Sequence, residues 1–258
     1  MIHKILADKP TKLFIIMACF FVANALIAEC IGNKLFSLEQ TLGMTVHPFS
    51  LLGQDGLTYT LTCGVILWPL EFVMTDIVNE YYGPKAVRRI SYTAIALISY
   101  AFLMIFLAIY LPADQGFWTK SKADEGVPDM QLAFKSIFGQ SMRIIFASLV
   151  AFFVSQLLDV YIFHRIKKMT GEKHVWLRAT GSTLVSQLVD SFIVLFIAFV
   201  DSWGWQRVIV VGLINYSYKC TMAIVLTPLI YLIEGRIEAY LGKETTAQMK
   251  AAAMGEES

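Results

Sequence analysis

The feature that most constrains this chain is a series of six apolar runs, each long enough to cross a bilayer. A helix rises 1.5 Å per residue, so about 20 apolar residues cover a hydrocarbon core of roughly 30 Å. Leu13–Ile31, Leu57–Val78, Ile90–Leu111, Ile144–Phe163, Thr180–Val200 and Val208–Ile233 all reach that length. The chain is 57% hydrophobic and 16% charged, against roughly 45–50% and 25% in soluble domains, and its mean hydropathy is +0.60. One soluble core cannot hide that much apolar surface. The expected fold is an all-α integral membrane protein with six transmembrane helices in one domain, residues 13–233, between an N-terminal segment 1–12 and a tail 234–258. The first run spans 19 residues, longer than the ~7–15 of a signal-peptide core, and no clear small-residue cleavage site follows it, so it is expected to stay in the protein.

Charge sets the orientation. With both termini inside, the inner segments hold 14 Lys and Arg and the outer side holds six, while Lys219 lies within a span. Positive charge concentrates on the cytoplasmic side, which predicts N-in, C-in and a cytoplasmic tail. His164 to Arg178 reads as a basic inner loop, and Ser37–Gly56 as an outer loop or short re-entrant piece. Pro112–Gln140 is the longest connection, and its segment Met130–Ile137 is amphipathic enough to lie on the membrane surface. Ile90–Leu111 carries no acid or base and suits a lipid-facing scaffold helix. The four cysteines have no C-x-x-C spacing and read as small buried hydrophobes, and the four histidines form no ligand cluster. No metal, cofactor or nucleic-acid partner is expected, and no protease or hydrolase motif points to an enzyme.

Polar residues inside the runs mark the working part. A charged group near the bilayer centre costs roughly 2.5–3.5 kcal/mol on insertion scales and usually has a function. Trp68 to Arg89 holds Glu71, Asp76, Asn79 and Glu80, the last three on one helix face. Pro69 one turn ahead suggests a broken helix, Gly83-Pro84 a definite break. Asp76 to Glu80 either cap the span at the water interface or serve gating. Glu29 and Asn33, with Asn24 further in, face either a neighbouring helix or a water-filled cavity.

The fourth and fifth runs share a repeat, Ser155-Gln156-Leu157-Leu158-Asp159 and Ser186-Gln187-Leu188-Val189-Asp190. In each copy Ser, Gln and Asp occupy one helical stripe, so antiparallel neighbours can present matching polar stripes to a common cavity. By residue count Asp190 and Lys219 lie near the midplane, and Asp159 and Glu71 in the inner half. Lys219 needs a partner, Asp190 or Asp159. Such a pair either fixes helix register or leaves carboxylates to bind a ligand. Gln beside Asp supplies donors and acceptors that suit a planar heterocycle, with Phe72, Tyr81, Tyr82, Tyr161, Tyr216 and Tyr218 as candidate stacking rings. The expected substrate-binding set is Gln156, Asp159, Gln187, Asp190, Lys219 and Glu71. The expected gating or coupling set is Asp76, Asn79, Glu80 and Glu29, with Glu71 sharing that role.

Ala23–Phe36 (ANALIAECIGNKLF), Thr75–Gly83 (TDIVNEYYG) with the trailing Lys85–Arg89, and the two S-Q-L-x-D copies resemble the queuosine precursor transporter family, also called the vitamin uptake transporter family. The resemblance runs from about Leu13 to Glu234. It implies a six-span carrier in the bacterial inner membrane that imports 7-deazapurines, chiefly 7-cyano- and 7-aminomethyl-7-deazaguanine, for tRNA modification. A homodimer would suit so few spans. The alternative is a substrate-binding subunit of an energy-coupling-factor vitamin importer, which needs an ATPase module in trans.

Overall fold

A computed structural model of the protein describes residues 8–139, 142–171 and 174–255. Lys4 and Lys173 of the charge count, Gln140 at the end of the longest connection, and residues 1–7 and 256–258 of the expected termini lie outside the described residues.

Helix α1 (Lys9–Ile31) starts where the Asp8 carboxylate accepts the Thr11 N–H at 2.9 Å, with Pro10 in the first turn. Short strands β1 (Leu35–Ser37), β2 (Phe49–Leu51), β3 (Gln54–Leu57) and β4 (Thr60–Thr62) and a one-turn helix α2 (Leu38–Thr41) follow. Then come α3 (Trp68–Tyr110), α4 (Met130–Phe138), α5 (Met142–Thr170), α6 (Val175–Val225), α7 (Thr227–Leu241) and α8 (Lys243–Gly255). Four helical stretches, starting at Lys9, Trp68, Met130 and Val175, are long and apolar enough to cross a membrane.

Two of these stretches are hairpins. Gly83 (φ 77°) and Gly204 (φ 76°) interrupt α3 and α6 in a backbone region that glycine enters without a Cβ penalty. The limb 68–82 runs antiparallel to α1: Tyr82 donates to the Pro10 carbonyl at 2.8 Å, and Asn24 to the Leu67 carbonyl at 3.0 Å. The limb 84–110 returns parallel to α1, with Ala86, Ile90 and Thr93 sharing a groove with Phe14, Ala18 and Val22. In α6 the returning limb and α7 pair with the outgoing one: Thr180 meets Thr227 at 2.9 Å, and the Trp176 N–H meets the Tyr231 hydroxyl at 3.3 Å. The break expected at Gly83-Pro84 is therefore present and reverses the chain. Pro69 begins a helix and kinks none, because at the first turn its missing N–H forfeits no bond.

Other expectations change as well. The run from Leu57 does not start as a helix: Thr60–Thr62 pairs antiparallel with Leu35–Ser37, and β2 with β3, so α3 begins only at Trp68. Two small two-stranded sheets thus cap one end of an otherwise helical molecule. The expected basic loop is mostly helix, since α5 runs to Thr170 and α6 starts at Val175. The tail is helical too, and α8 folds back so that Lys250 bonds Glu234 at 2.9 Å. None of the four cysteines is fully buried; Cys19 is exposed among apolar neighbours, as the lipid-facing side of a membrane helix permits.

The expected amphipathic segment is α4, capped by Asp129 and tied by Gln131 to the Ile109 carbonyl at 2.9 Å. The limb 84–110 buries Ile90, Ala94, Ile98 and Phe102 on one face and exposes Leu97, Leu103, Met104 and Leu107 on the other, so it is a scaffold helix with a lipid-type outer surface.

The sheet cap is anchored by Glu39, which accepts the Tyr59 N–H and the Ser37 hydroxyl, both at 2.8 Å. The Tyr59 N–H first, then Glu39's own amide and the Ser37 hydroxyl, hold this carboxyl below its ordinary value. A lowered folded pKa stabilises above the unfolded value, about 4.3, and that contribution is lost as pH falls through the folded one. Amide protection at Tyr59 and Cys63 should therefore fall across that acid range, and Glu39→Gln should remove the step, as read by hydrogen exchange.

Candidate functional site

Polar side chains gather at three levels between the sheet-capped end and the end formed by α8. At the first level is a cavity of about 340 Å³ lined by residues of α1, α3, α5 and α6. Its charged groups are Glu29, Asp190 and Lys219, and its other polar linings include Ser148, Ser191 and Asn215. Lys219 and Asp190 form an ion pair. Glu29 accepts the Ser148 hydroxyl at 2.5 Å. Ser191 is 2% exposed, and its hydroxyl lacks a hydrogen-bond partner among the described residues. Leaving a buried hydroxyl unmet costs about 1–3 kcal/mol, so this one is available to a molecule that enters the cavity. Trp68, Phe199 and Tyr218 supply the aromatic walls.

The second level is where the two S-Q-L-x-D copies meet. Ser155 donates to Asp190 at 3.4 Å, and Ser186 donates to Asp159 at 3.1 Å. The stripes therefore clasp each other reciprocally across the antiparallel α5–α6 interface. Gln156 and Gln187 are buried between these contacts, and their Oε1 atoms lack described partners. Asp159 sits one helical turn beyond Ser155, farther from the sheets. It is within electrostatic reach of Asp76 on α3. Beside Asp76 a void of about 10 Å³ remains, with Pro69, Phe72 and Thr183 in its wall, too small for anything beyond a water.

The third level is a buried charge cluster around Glu80. Arg178 grips its carboxylate with two bonds, 3.0 Å to Oε2 and 2.7 Å to Oε1. Lys167 lies 3.1 Å from Oε2, and Lys250 of α8 lies 3.5 Å from Oε1 while bonding Glu234 at 2.9 Å. Glu80, Lys167 and Arg178 are 0–1% exposed. Burial pushes the Lys250 ammonium down, but Glu234 and Glu80 more than offset it and hold it above its ordinary value. Asn79 meets His164 at 3.2 Å next to this cluster.

The expected site residues divide among these levels. Asp190, Lys219 and Glu29 line the cavity, whereas Gln156, Gln187, Asp159 and Glu71 do not. Glu71 accepts from Asn24 at 2.9 Å in the first turn of α3, near the sheet-capped end, because the helix begins eleven residues later than the apolar run. Asp76, Asn79 and Glu80 are buried in protein and do not cap a helix at water. Of the proposed stacking rings only Tyr218 lines the cavity, and Trp68 and Phe199 were not foreseen. Lys167, Arg178 and Lys250 were read as inner-surface charges. Their i, i+4 or capping context carried no sign of burial, so no local signal could have placed them on Glu80.

Long apolar helices wrapped around an ion-paired polar interior define a multi-pass membrane protein with an internal cavity. The chain belongs to the vitamin uptake transporter family: the family described as "Putative vitamin uptake transporter" matches residues 62–233. It is similar to a "Probable queuosine precursor transporter" of Bacillus subtilis (strain 168), 32% identical over 68% of this chain and 72% of that one. It is also similar to the "Queuosine precursor transporter" of Escherichia coli (strain K12), 29% identical over 69% and 72%. A "Probable queuosine precursor transporter" of Haemophilus influenzae is 26% identical over 71% and 72%. No solved structure matches the chain.

Breaking a buried ion pair by removing one partner costs about 3–5 kcal/mol, since the other charge stays buried. Arg178→Ala should therefore lower the apparent melting temperature in detergent sharply, whereas Lys122→Ala, at an exposed pair, should leave it unchanged.

Proposed function

We propose that this chain imports queuosine precursors, 7-cyano- and 7-aminomethyl-7-deazaguanine, across the bacterial inner membrane. The observation that carries this is the 340 Å³ cavity floored by the Lys219–Asp190 pair, in a chain whose relatives are named for that cargo. The volume lies at the small end of ligand pockets, roughly 300–1,000 Å³, which suits one fused bicyclic ring. A guanine-type ring carries N–H donors for a carboxylate and a carbonyl for an ammonium, the two kinds of group present.

The two reversals at Gly83 and Gly204 support six crossings, with the ends 1–12 and 234–258 cytoplasmic. The excess of Lys and Arg toward the α8 end supports that orientation. In it the cavity faces outward. Asp190 and Lys219 hold the ring there. Gln156, Gln187, Asp159 and Glu71 line the route inward, and Asp76, Asn79 and Glu80 gate it. The cluster on Glu80 keeps the inner end shut in this conformation. Release inward then requires Arg178, Lys167 and Lys250 to part from Glu80, an exchange between two packed states.

Two measurements test this. In a bacterium unable to make the precursor and lacking its own importer, this chain expressed alone should restore queuosine to tRNA at low external 7-cyano-7-deazaguanine. Success without a partner also rules out a dependent binding subunit; no restoration, with the chain in the membrane, overturns the proposal. Asp190→Asn should reduce restoration to background at unchanged membrane level. For the gate, Lys250→Met leaves Lys167 and Arg178 on Glu80 but loosens the clasp. Maleimide labelling of Thr183→Cys in inverted vesicles should rise in that background, and unchanged labelling would remove Lys250 from the gate.

A further inference from the structure

We infer that the groove between α1 and the returning limb of α3 seats an anionic phospholipid, its phosphate held by Lys85 and Arg89 and an acyl chain lying along Phe14, Ala18, Val22 and Ile90. This uses the orientation proposed above, which puts Lys85 on the cytoplasmic side, and is independent of the cargo.

Two matching stripes form the groove. Phe14, Ala18 and Val22 on α1 face Lys85, Arg89 and Thr93 on the limb 84–110, each set at i, i+4 and i+8. Eight residues of helix rise about 12 Å, and the stripes run side by side for that distance. Ala18 and Ala86 are short enough to leave an opening of about 330 Å³ between the helices. Phe14 and Tyr82 meet in its wall with ring centroids 5.0 Å apart. The Tyr82 hydroxyl donates to the Pro10 carbonyl at 2.8 Å, and the Thr93 hydroxyl to the Arg89 carbonyl at 2.9 Å. With both hydroxyl protons committed, the side-chain donors left in the lining are those of Lys85 and Arg89.

Charge decides the occupant. Lys85 and Arg89 are exposed, and neither pairs with a carboxylate among the described residues. Like charges at i, i+4 on a helix repel. Arg88 adds a third, and Gly83 interrupts the helix just ahead of them. All three therefore stand in the first turns of the limb, at the positive end of its dipole. Each placement opposes helix stability, and an anion at the mouth of the groove reverses the effect. Residues 1–7 contain no Asp or Glu to supply it, and the Asp8 carboxylate caps α1 on Thr11. The positive-inside rule explains why these charges are basic, but not why two of them line an apolar groove. A phospholipid brings a phosphate for the cations and a chain for the walls. A zwitterionic headgroup would carry its own ammonium into the same positive field. A net-anionic one is favoured, as in other basic pockets between helices on the cytoplasmic side.

The test is native mass spectrometry of the purified full chain in detergent, with phosphatidylglycerol or phosphatidylcholine added at equal concentration. The chain should retain phosphatidylglycerol, and phosphatidylcholine about tenfold less. Lys85→Gln combined with Arg89→Gln should cut phosphatidylglycerol retention about tenfold or more. Because both side chains are exposed, the melting temperature in lipid-free detergent should not change. Arg88→Gln removes the same kind of charge just outside the groove and should keep retention within about threefold. Ala18→Leu narrows the groove with both cations in place, and should also reduce retention. Equal retention of the two lipids overturns the assignment, as does an equal loss in Arg88→Gln and the double variant, or unchanged retention in Ala18→Leu. Glycerol 3-phosphate competing as well as phosphatidylglycerol would mark a phosphate site with no seat for a chain, and overturns it too. None of these readouts depends on uptake, so a failure of the carrier function is a separate result.

Discussion

A single carboxylate, that of Glu80, holds one end of this molecule together. Buried as it is, it requires compensation for lost hydration, and the fold supplies three cations from three other helices: Lys167 on α5, Arg178 on α6 and Lys250 on α8. Arg178 does most, because its planar fork meets both oxygens at once. It also donates to the Gly171 carbonyl at 2.9 Å, so the turn between α5 and α6 is tied to the same point. Without the carboxylate these cations would repel one another inside the protein. The arrangement thus forces α3, α5, α6 and α8 to converge, and convergence is what closes that end.

The opposite end is built on different physics. Short strands paired by backbone hydrogen bonds cap it, with α4 tied to the Ile109 carbonyl by Gln131, and below them the helices stand apart around the cavity. Between the two ends the antiparallel α5–α6 pair is held in register by the reciprocal Ser155–Asp190 and Ser186–Asp159 bonds. A one-residue slip of either helix would break both bonds. The molecule is therefore wide at one end, tight at the other and rigidly registered between them. That asymmetry is what a carrier needs in one of its two states, and the proposed gate acts where it is tightest.

Much of this was legible from the residues in order. Six apolar runs gave the helical limbs to within a turn or two, except where Leu57 to Thr62 joined a sheet. Hydrophobicity alone cannot separate a strand beside the membrane from a helix inside it, and β-branched Thr60 and Thr62 tip the balance only once a partner strand exists. The S-Q-L-x-D repeat announced a paired stripe, and a lone Lys219 announced a carboxylate partner. Which carboxylate, and whether the stripes faced a void or each other, depended on helix rotation about an axis that apolar side chains on every face leave undetermined.

The sequence by itself determined that the chain is an apolar helical membrane protein with acids where lipid forbids them, because length and hydropathy are local properties. It also marked the break at Gly83-Pro84, where glycine permits a backbone other residues resist, whereas the matching reversal at Gly204 emerged only from the structure. Only tertiary structure decided that Lys167, Arg178 and Lys250 leave the surface for Glu80, that Glu29 joins Asp190 and Lys219 in one chamber, and that Gln156 and Gln187 do not. Those outcomes depend on contacts between residues tens to more than a hundred positions apart. Such contacts are chosen by the burial energy of the whole bundle, which no single segment encodes.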